Sequence, residues 1–118
     1  MMEQSTAVAA LSALAQNTRL SVFRLLVRAG PGGLIADAIA EAMAVPASTM
    51  SHHLATLERA QLVIARRESR LIHYSADYAG IEAMLAFLLG DCCQGMPDLC
   101  GNLLAAISCD EFSQGAKA

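Results

Sequence analysis

The stretch over residues 48–57 constrains the fold most, and it follows a break over residues 44–46 that contains a proline. At about 100° per residue, the helical period, Met50, Leu54 and Leu57 fall within one narrow sector. These three side chains predict the buried side of a helix. The opposite side carries short polar residues with almost no charge. Such side chains can approach a base edge without first satisfying a like-charged neighbour.

A second helical pattern precedes the break, over residues 34–43, with Ile35, Ile39 and Met43 predicted to point inward. Helix, short turn and polar helix are the parts of a helix-turn-helix, whose second helix lies in the major groove of DNA. We therefore predict a recognition helix over residues 46–60, with Pro46 in its first turn. Its predicted DNA contacts are Ser48, Thr49, Ser51, His52 and Thr56.

A β-branched segment over residues 62–67 and a second extended segment over residues 70–75 follow, and together they predict a hairpin with Glu68 and Ser69 at its tip. Beside a recognition helix, a basic hairpin is a wing that can grip the DNA backbone or the minor groove. A tight tip favours Gly or Asn, and Ser69 is neither. The predicted DNA contacts on the wing are Arg66, Arg67 and Arg70.

The charge distribution favours DNA binding although the net charge is −3. Residues 19–74 hold seven of the eight basic groups, all arginine, against four acids, which gives +3. Residues 75–118 hold six acids and one lysine, which gives −5, and Glu3 supplies the remaining −1. Phosphate contacts need a local basic surface and not a basic protein, and the planar arginine fork suits them.

The remaining helical patterns favour a homodimer. Residues 7–16 predict an apolar helix of small side chains, and residues 20–28 predict one with Leu20, Phe23, Leu26 and Val27 on one face. Asn17 or Thr18 is the expected cap between them. Residues 79–90 are apolar on nearly all sides, so that helix needs cover, and a partner subunit is the expected cover in so short a chain.

The composition is 55% hydrophobic, yet no apolar run approaches the roughly 18 to 20 residues of a membrane span. Residues 1–16 lack the basic start of a signal peptide. We expect a cytoplasmic protein with no membrane partner.

Four segments together carry a family resemblance: ALAQNTRL at 13–20, STMSHHL at 48–54, LERAQLV at 57–63 and RESR at 67–70. They resemble the ArsR/SmtB family of dimeric winged-helix repressors that sense metals and metalloids. The resemblance covers about residues 7–90. The family usually has proline between the positions of Asn17 and Thr18, and glycine where Ser69 stands.

The resemblance implies a mainly α fold with a small β-hairpin, a winged helix-turn-helix that dimerises through its N-terminal and final long helices. It implies binding to double-stranded operator DNA and release of that DNA when an inducer binds. We assign residues 1–90 to DNA binding and dimerisation. We expect residues 91–118 to form a cysteine-containing sensor loop, short helix and tail within the same domain.

Two sensor sites of the family are absent from the sequence. The helix before the recognition helix has no Cys-x-Cys pair, and the final long helix has no histidine. What remains are four cysteines, none of them in the first 91 residues: Cys92, Cys93, Cys100 and Cys109. The first three lie in a polar loop with Gly and Pro, a poor setting for buried apolar cysteines. Cys109 lies in an apolar helical pattern and fits that setting better.

Soft thiolates bind soft ions, and trivalent arsenic and antimony need only three sulfur ligands. Some arsenical-resistance repressors resemble this arrangement. On that resemblance we predict that Cys92, Cys93 and Cys100 bind As(III) or Sb(III) as inducer, with Cys109 a weaker candidate. Methylated trivalent arsenic, which needs two thiols, stays open.

Other sensor chemistries on the same fold also stay open. A redox or persulfide sensor would use a reversible disulfide, and a cadmium, lead or zinc sensor would need a fourth ligand. A thiol enzyme such as an arsenate reductase is disfavoured because no oxyanion-binding loop surrounds a cysteine. We therefore predict no enzyme activity and no catalytic cofactor.

Overall fold

The structure is a computed structural model in which residues 2–90 are described, and those up to Leu88 form one compact unit. The helices of this part are α1 (Gln4–Leu14), α2 (Asn17–Ala29), α3 (Ala36–Met43), α4 (Ala47–Arg59) and α5 (Tyr78–Leu89). The strands are β1 (Leu34–Ile35), β2 (Val63–Glu68) and β3 (Leu71–Ala76). This order confirms a mainly helical winged helix-turn-helix with a basic hairpin.

The core forms where α4 meets α2, α3 and β2. Met50, Leu54 and Leu57 are buried, which confirms the stripe predicted from their helical spacing. Full burial of one such side chain stabilises the fold by about 1.5–3 kcal/mol. The stripe therefore fixes which side of α4 is left for solvent.

The first strand corrects the sequence prediction, which started the third helix at Leu34. Leu34 and Ile35 instead pair antiparallel with Tyr74 and His73, so the hairpin gains a third strand in the order β1-β3-β2. The close approach of β1 to β3 depends on Gly33, which has a φ of 70°. A β-carbon at this position would overlap the Tyr74 carbonyl oxygen. Because Ile35 ends a strand, α3 begins only at Ala36.

The cap of α2 also differs from the prediction of Asn17 or Thr18. Gln16 has an extended backbone, and its side-chain oxygen accepts a hydrogen bond from the backbone N–H of Arg19 at 2.7 Å. Asn17 and Thr18 are already helical. The cap therefore lies one residue before Asn17, and its side-chain oxygen satisfies one of the first N–H groups, which have no partner within the helix.

The turn between α3 and α4 lies where the proline-containing break predicts it. Ala44 adopts the left-handed conformation, and its N–H bonds back to the carbonyls of Ala40 and Glu41. Pro46 is the cap residue of α4 and not part of its first turn, and its carbonyl accepts from Met50. This turn sets the angle at which α4 leaves the core.

The tip of the hairpin is shifted by one residue from the prediction. Glu68 pairs with Leu71, so the two turn residues are Ser69 and Arg70. Ser69 has a φ of 55°, a conformation that favours glycine. Serine at this position, where the family usually has glycine, therefore places local backbone strain at the wing tip.

The inward face of α2 is only partly as predicted. Leu26 is buried and Phe23 half-buried, but Leu20 and Val27 are exposed, and Val22 is buried in their place. In α5, predicted to need cover, Met84 is buried whereas Leu85 and Leu88 are exposed. Within residues 2–90, no helix is long and apolar enough to cross a membrane.

Candidate DNA-binding interface

The outer face of α4 is polar and free of acidic groups over its first half. Four of the predicted contacts are exposed there: Ser48, Thr49, Ser51 and His52. The first acid on the helix is Glu58, in its last turn. We call these four residues the reading face. Short hydroxyl and imidazole side chains are hydrogen-bonding groups of a size that suits base edges in a major groove.

Thr56, the fifth predicted contact on α4, has different surroundings. Its hydroxyl donates to the backbone carbonyl of His52 at 3.0 Å. It is half-buried and lines a groove together with Ala9 and Ser12 of α1. Thr56 therefore lies one turn beyond the reading face, where α1 comes close to α4.

His53 lies between the reading face and the core, because adjacent residues of a helix point about 100° apart. His52 is exposed and His53 half-buried. The pKa of His53 is lowered from its ordinary value, first by burial and then by the positive charge of Arg19 and by His52. His53 therefore favours its neutral form.

The three arginines predicted on the wing are all exposed but are not equivalent. Arg66 forms a salt bridge through its Nε to the Glu68 carboxylate at 2.8 Å. Arg67 and Arg70 form no salt bridge within residues 2–90. Adjacent residues of a strand point to opposite faces, so Arg66 and Arg67 lie on different sides of the wing. Arg67 and Arg70 are the wing cations with the fewest competing contacts.

The start of α5 is attached to the connection between α4 and β2, a junction that sequence reasoning missed. The Asp77 N–H donates to the Leu62 carbonyl at 2.9 Å, and its carboxylate accepts from the Gly80 N–H at 2.9 Å. Gly80 packs so closely on the Gln61 carbonyl that a β-carbon would overlap it. The Asp-x-x-Gly spacing was a possible signal for this cap.

The predicted sensor residues Cys92, Cys93, Cys100 and Cys109 lie outside the described residues. Within residues 2–90 no group of three or more His, Cys, Asp or Glu side chains could hold a metal ion. His73 lies on β3, and its Nδ1 is buried without a hydrogen-bond partner in this part of the chain.

Comparisons with known proteins agree with this geometry. The helix-turn-helix domain family matches residues 14–65, which run from the end of α1 into β2. No curated protein sequence matches the chain. HlyU from Vibrio cholerae N16961 is 29% identical, with a TM-score of 0.60 over 75% of this chain and 95% of its own. A second structure of that protein, described as reduced HlyU, is 28% identical with a TM-score of 0.58, over 72% of this chain and 86% of its own.

Two further solved structures are similar. The homodimeric winged helix-turn-helix domain of Mb0332 from Mycobacterium bovis, described as a possible ArsR-family transcriptional regulator, is 28% identical. Its TM-score is 0.61 over 71% of this chain and 75% of its own. A possible transcriptional regulator for arsenical resistance is 28% identical, with a TM-score of 0.59 over 67% of this chain and 79% of its own.

The fold and the matched residues define a winged helix-turn-helix of the DNA-binding type. More closely, it is the fold of ArsR- and HlyU-like transcriptional regulators, and the matches are to regulators of this kind and not to enzymes.

Proposed function

We propose that the chain is a transcriptional repressor that binds operator DNA as a cytoplasmic homodimer and releases it when trivalent arsenic or antimony binds cysteine thiolates. The observation that carries the DNA-binding part is the acid-free reading face beside an arginine-bearing wing. α4 would lie in the major groove, with Ser48, Thr49, Ser51 and His52 at the base edges. Arg67 and Arg70 would contact the phosphates, and Arg66 would do so only by leaving Glu68.

The homodimer is supported by apolar surface on two helices. Val8 and Leu11 on α1, and Leu85 and Leu88 on α5, are each 39–54% exposed in the single chain. Apolar side chains grouped on a small protein mark interaction surfaces. The similar domain of Mb0332 is homodimeric. A dimer would present two copies of α4 to successive major grooves.

The choice of inducer is argued from the sequence, since the cysteines lie outside the described residues. Cys92, Cys93 and Cys100 supply the three thiolates that As(III) or Sb(III) needs. A similar solved structure is described as a possible regulator for arsenical resistance, which favours this choice. Cys109 is the candidate fourth thiolate if the ion is cadmium, lead or zinc instead.

A route from the inducer to the DNA is supported by the junction at the start of α5. The chain runs from the recognition helix through Gln61 and Leu62, and Asp77 and Gly80 hold α5 against that connection. A displacement of α5 on inducer binding would therefore act through these contacts on the end of α4. A coupling free energy of about 1–3 kcal/mol between inducer binding and DNA binding would change operator affinity about 5- to 150-fold.

The second candidate is a redox or persulfide sensor on the same fold. The occurrence of HlyU in a form described as reduced favours it, because that description specifies an oxidation state. Here Cys100 would form a reversible disulfide with Cys92 or Cys93. DNA would then be released by peroxide or polysulfide and bound again after addition of thiol, without any metalloid.

The test is fluorescence anisotropy of a labelled operator duplex under reducing conditions. The protein–DNA complex is titrated with arsenite, antimonite, methylarsenite, cadmium and zinc, and separately, after removal of the reductant, with peroxide and polysulfide. Cys92→Ser, Cys93→Ser and Cys100→Ser are each compared with Cys109→Ser as the matched control.

We expect release by arsenite or antimonite that requires the first three cysteines and not Cys109. Release by methylarsenite alone would reduce the site to two thiols. Release only by oxidants would replace the metalloid switch with the redox switch. A protein that binds no duplex at all, although folded, would refute the repressor itself.

A further inference from the structure

α1, α2 and the C-terminal end of α4 border an open groove of about 320 Å³ that lies apart from the reading face and the wing. Its polar lining consists of Ser12, Arg19, Thr56 and Arg59, and the rest of its described lining is alanine. No acidic residue of the described part lines it. The groove thus combines two cations, two hydroxyl groups and small apolar walls.

Arg19 is held in place within this groove. Its Nε donates to the Ala13 carbonyl at 2.6 Å, and the Gln16 side chain accepts from its backbone N–H. The bond through Nε leaves the two terminal nitrogens of the guanidinium as donors. Within residues 2–90, neither Arg19 nor Arg59 forms a salt bridge. An ordered arginine fork without a carboxylate is a geometry that suits a bidentate oxyanion.

The positive charge of the groove reaches the recognition helix. After burial, Arg19 is the largest cause of the lowered pKa of His53, one turn before Thr56 and Leu57 on α4. A neutralising anion beside Arg19 would remove part of that effect. His53 is therefore a reporter of the groove that does not depend on DNA binding.

We propose that this groove binds a phosphate-type oxyanion through the guanidinium groups of Arg19 and Arg59 and the hydroxyl of Ser12, with Thr56, whose hydroxyl proton is already donated to the His52 carbonyl, forming part of the wall. The oxyanion has two sources, a backbone phosphate of bound DNA or a free small molecule. The volume of the groove lies at the lower end of the range of roughly 300–1,000 Å³ for small-molecule sites. Because Arg59 belongs to α4, the oxyanion fixes the end of the recognition helix to α1 and α2.

The first measurement is the pKa of His53 in the full-length protein by NMR, in sodium sulfate and in sodium chloride at equal ionic strength. Inorganic sulfate is the probe because it stays a dianion over the titration range. We expect a higher pKa of His53 in sulfate, with a saturable dependence on concentration. Arg59→Gln abolishes this response. Arg24→Gln, an exposed arginine of α2 outside the groove, keeps it.

The second measurement separates the two sources. The affinity for a duplex is measured against salt concentration for the same two variants. If the oxyanion is a DNA phosphate, Arg59→Gln reduces the steepness of log K against log salt by about 1.8, because one phosphate contact of about 0.9 is lost from each subunit of the dimer. If it is a free molecule, the slope is unchanged and only the sulfate response is lost. If Arg59→Gln alters neither measurement more than Arg24→Gln does, the groove is not an oxyanion site.

Discussion

Replacement of Gly80 by alanine tests the junction between α5 and the end of the recognition helix. In an ordinary helix this change stabilises, because alanine is favoured over glycine by about 1 kcal/mol. Here the new β-carbon overlaps the Gln61 carbonyl oxygen, which is backbone and cannot rotate away. Overpacking of this kind costs typically 1–3 kcal/mol, and backbone contacts lie at the upper end. We expect a net loss of about 1–2 kcal/mol.

The assay is urea denaturation followed by circular dichroism at one fixed protein concentration, because dimerisation makes stability concentration-dependent. Gly32→Ala is the matched control, since nothing lies within 4 Å of its added β-carbon and its φ is not positive. The control should be neutral or more stable by up to about 1 kcal/mol. Opposite signs for the two substitutions are the expected result.

A Gly80→Ala protein as stable as the wild type would refute the close packing of α5 on Gln61. The same protein also tests the route proposed for the inducer. If the junction transmits the signal, the variant retains DNA binding but loses part of its release by inducer. An unaltered response in a destabilised variant would place the transmission elsewhere.

Three further predictions concern the wing, its arginines and His53. Ser69→Gly should stabilise the protein by about 1 kcal/mol in the same denaturation assay, because Ser69 has a φ of 55° and the left-handed conformation costs a non-glycine residue about 1–2 kcal/mol. No gain would show that the tip relaxes to another turn. Arg67→Gln should reduce the salt slope of duplex binding by about 1.8, one phosphate contact of about 0.9 for each subunit of the dimer. Arg66→Gln should reduce it by less, because Glu68 already pairs with Arg66, and equal effects would contradict that difference. The pKa of His53 is lowered from 6.5 in the folded state, so the unfolded chain takes up the proton first and the stability falls as the pH drops through about 6.5. His53→Gln should reduce that fall in stability between pH 7 and 5. An unchanged pH profile of stability would contradict this prediction.

The sequence predicts those parts of the fold that depend on local pattern. The spacing of Met50, Leu54 and Leu57 was sufficient for the buried side of α4, because a helix repeats its faces at a fixed angle. The strand at Leu34 was missed because it has two residues and pairs with a segment about 40 residues away. Local periodicity holds no information about such a partner.

The site divides in the same way. The reading face follows from helical spacing alone, and so does the different exposure of His52 and His53. The salt bridge of Arg66, the hydrogen bond from Arg19 to the Ala13 carbonyl and the contact of Gly80 with Gln61 depend on side-chain or tertiary geometry. Residue type and spacing do not specify these contacts. The sensor cysteines, outside the described residues, stay a prediction from the sequence.

The reading face has a consequence for how such a protein changes its target. Ser48, Thr49, Ser51 and His52 are exposed, whereas the stability of α4 comes from Met50, Leu54 and Leu57 on the other side. Surface substitutions away from core contacts usually change stability by no more than about 0.5 kcal/mol. If these four positions read the operator as proposed, operator preference can be exchanged there while the scaffold is retained. Duplicated copies of the gene could diverge to different operators through a handful of substitutions, each of them tolerated by the fold on its own.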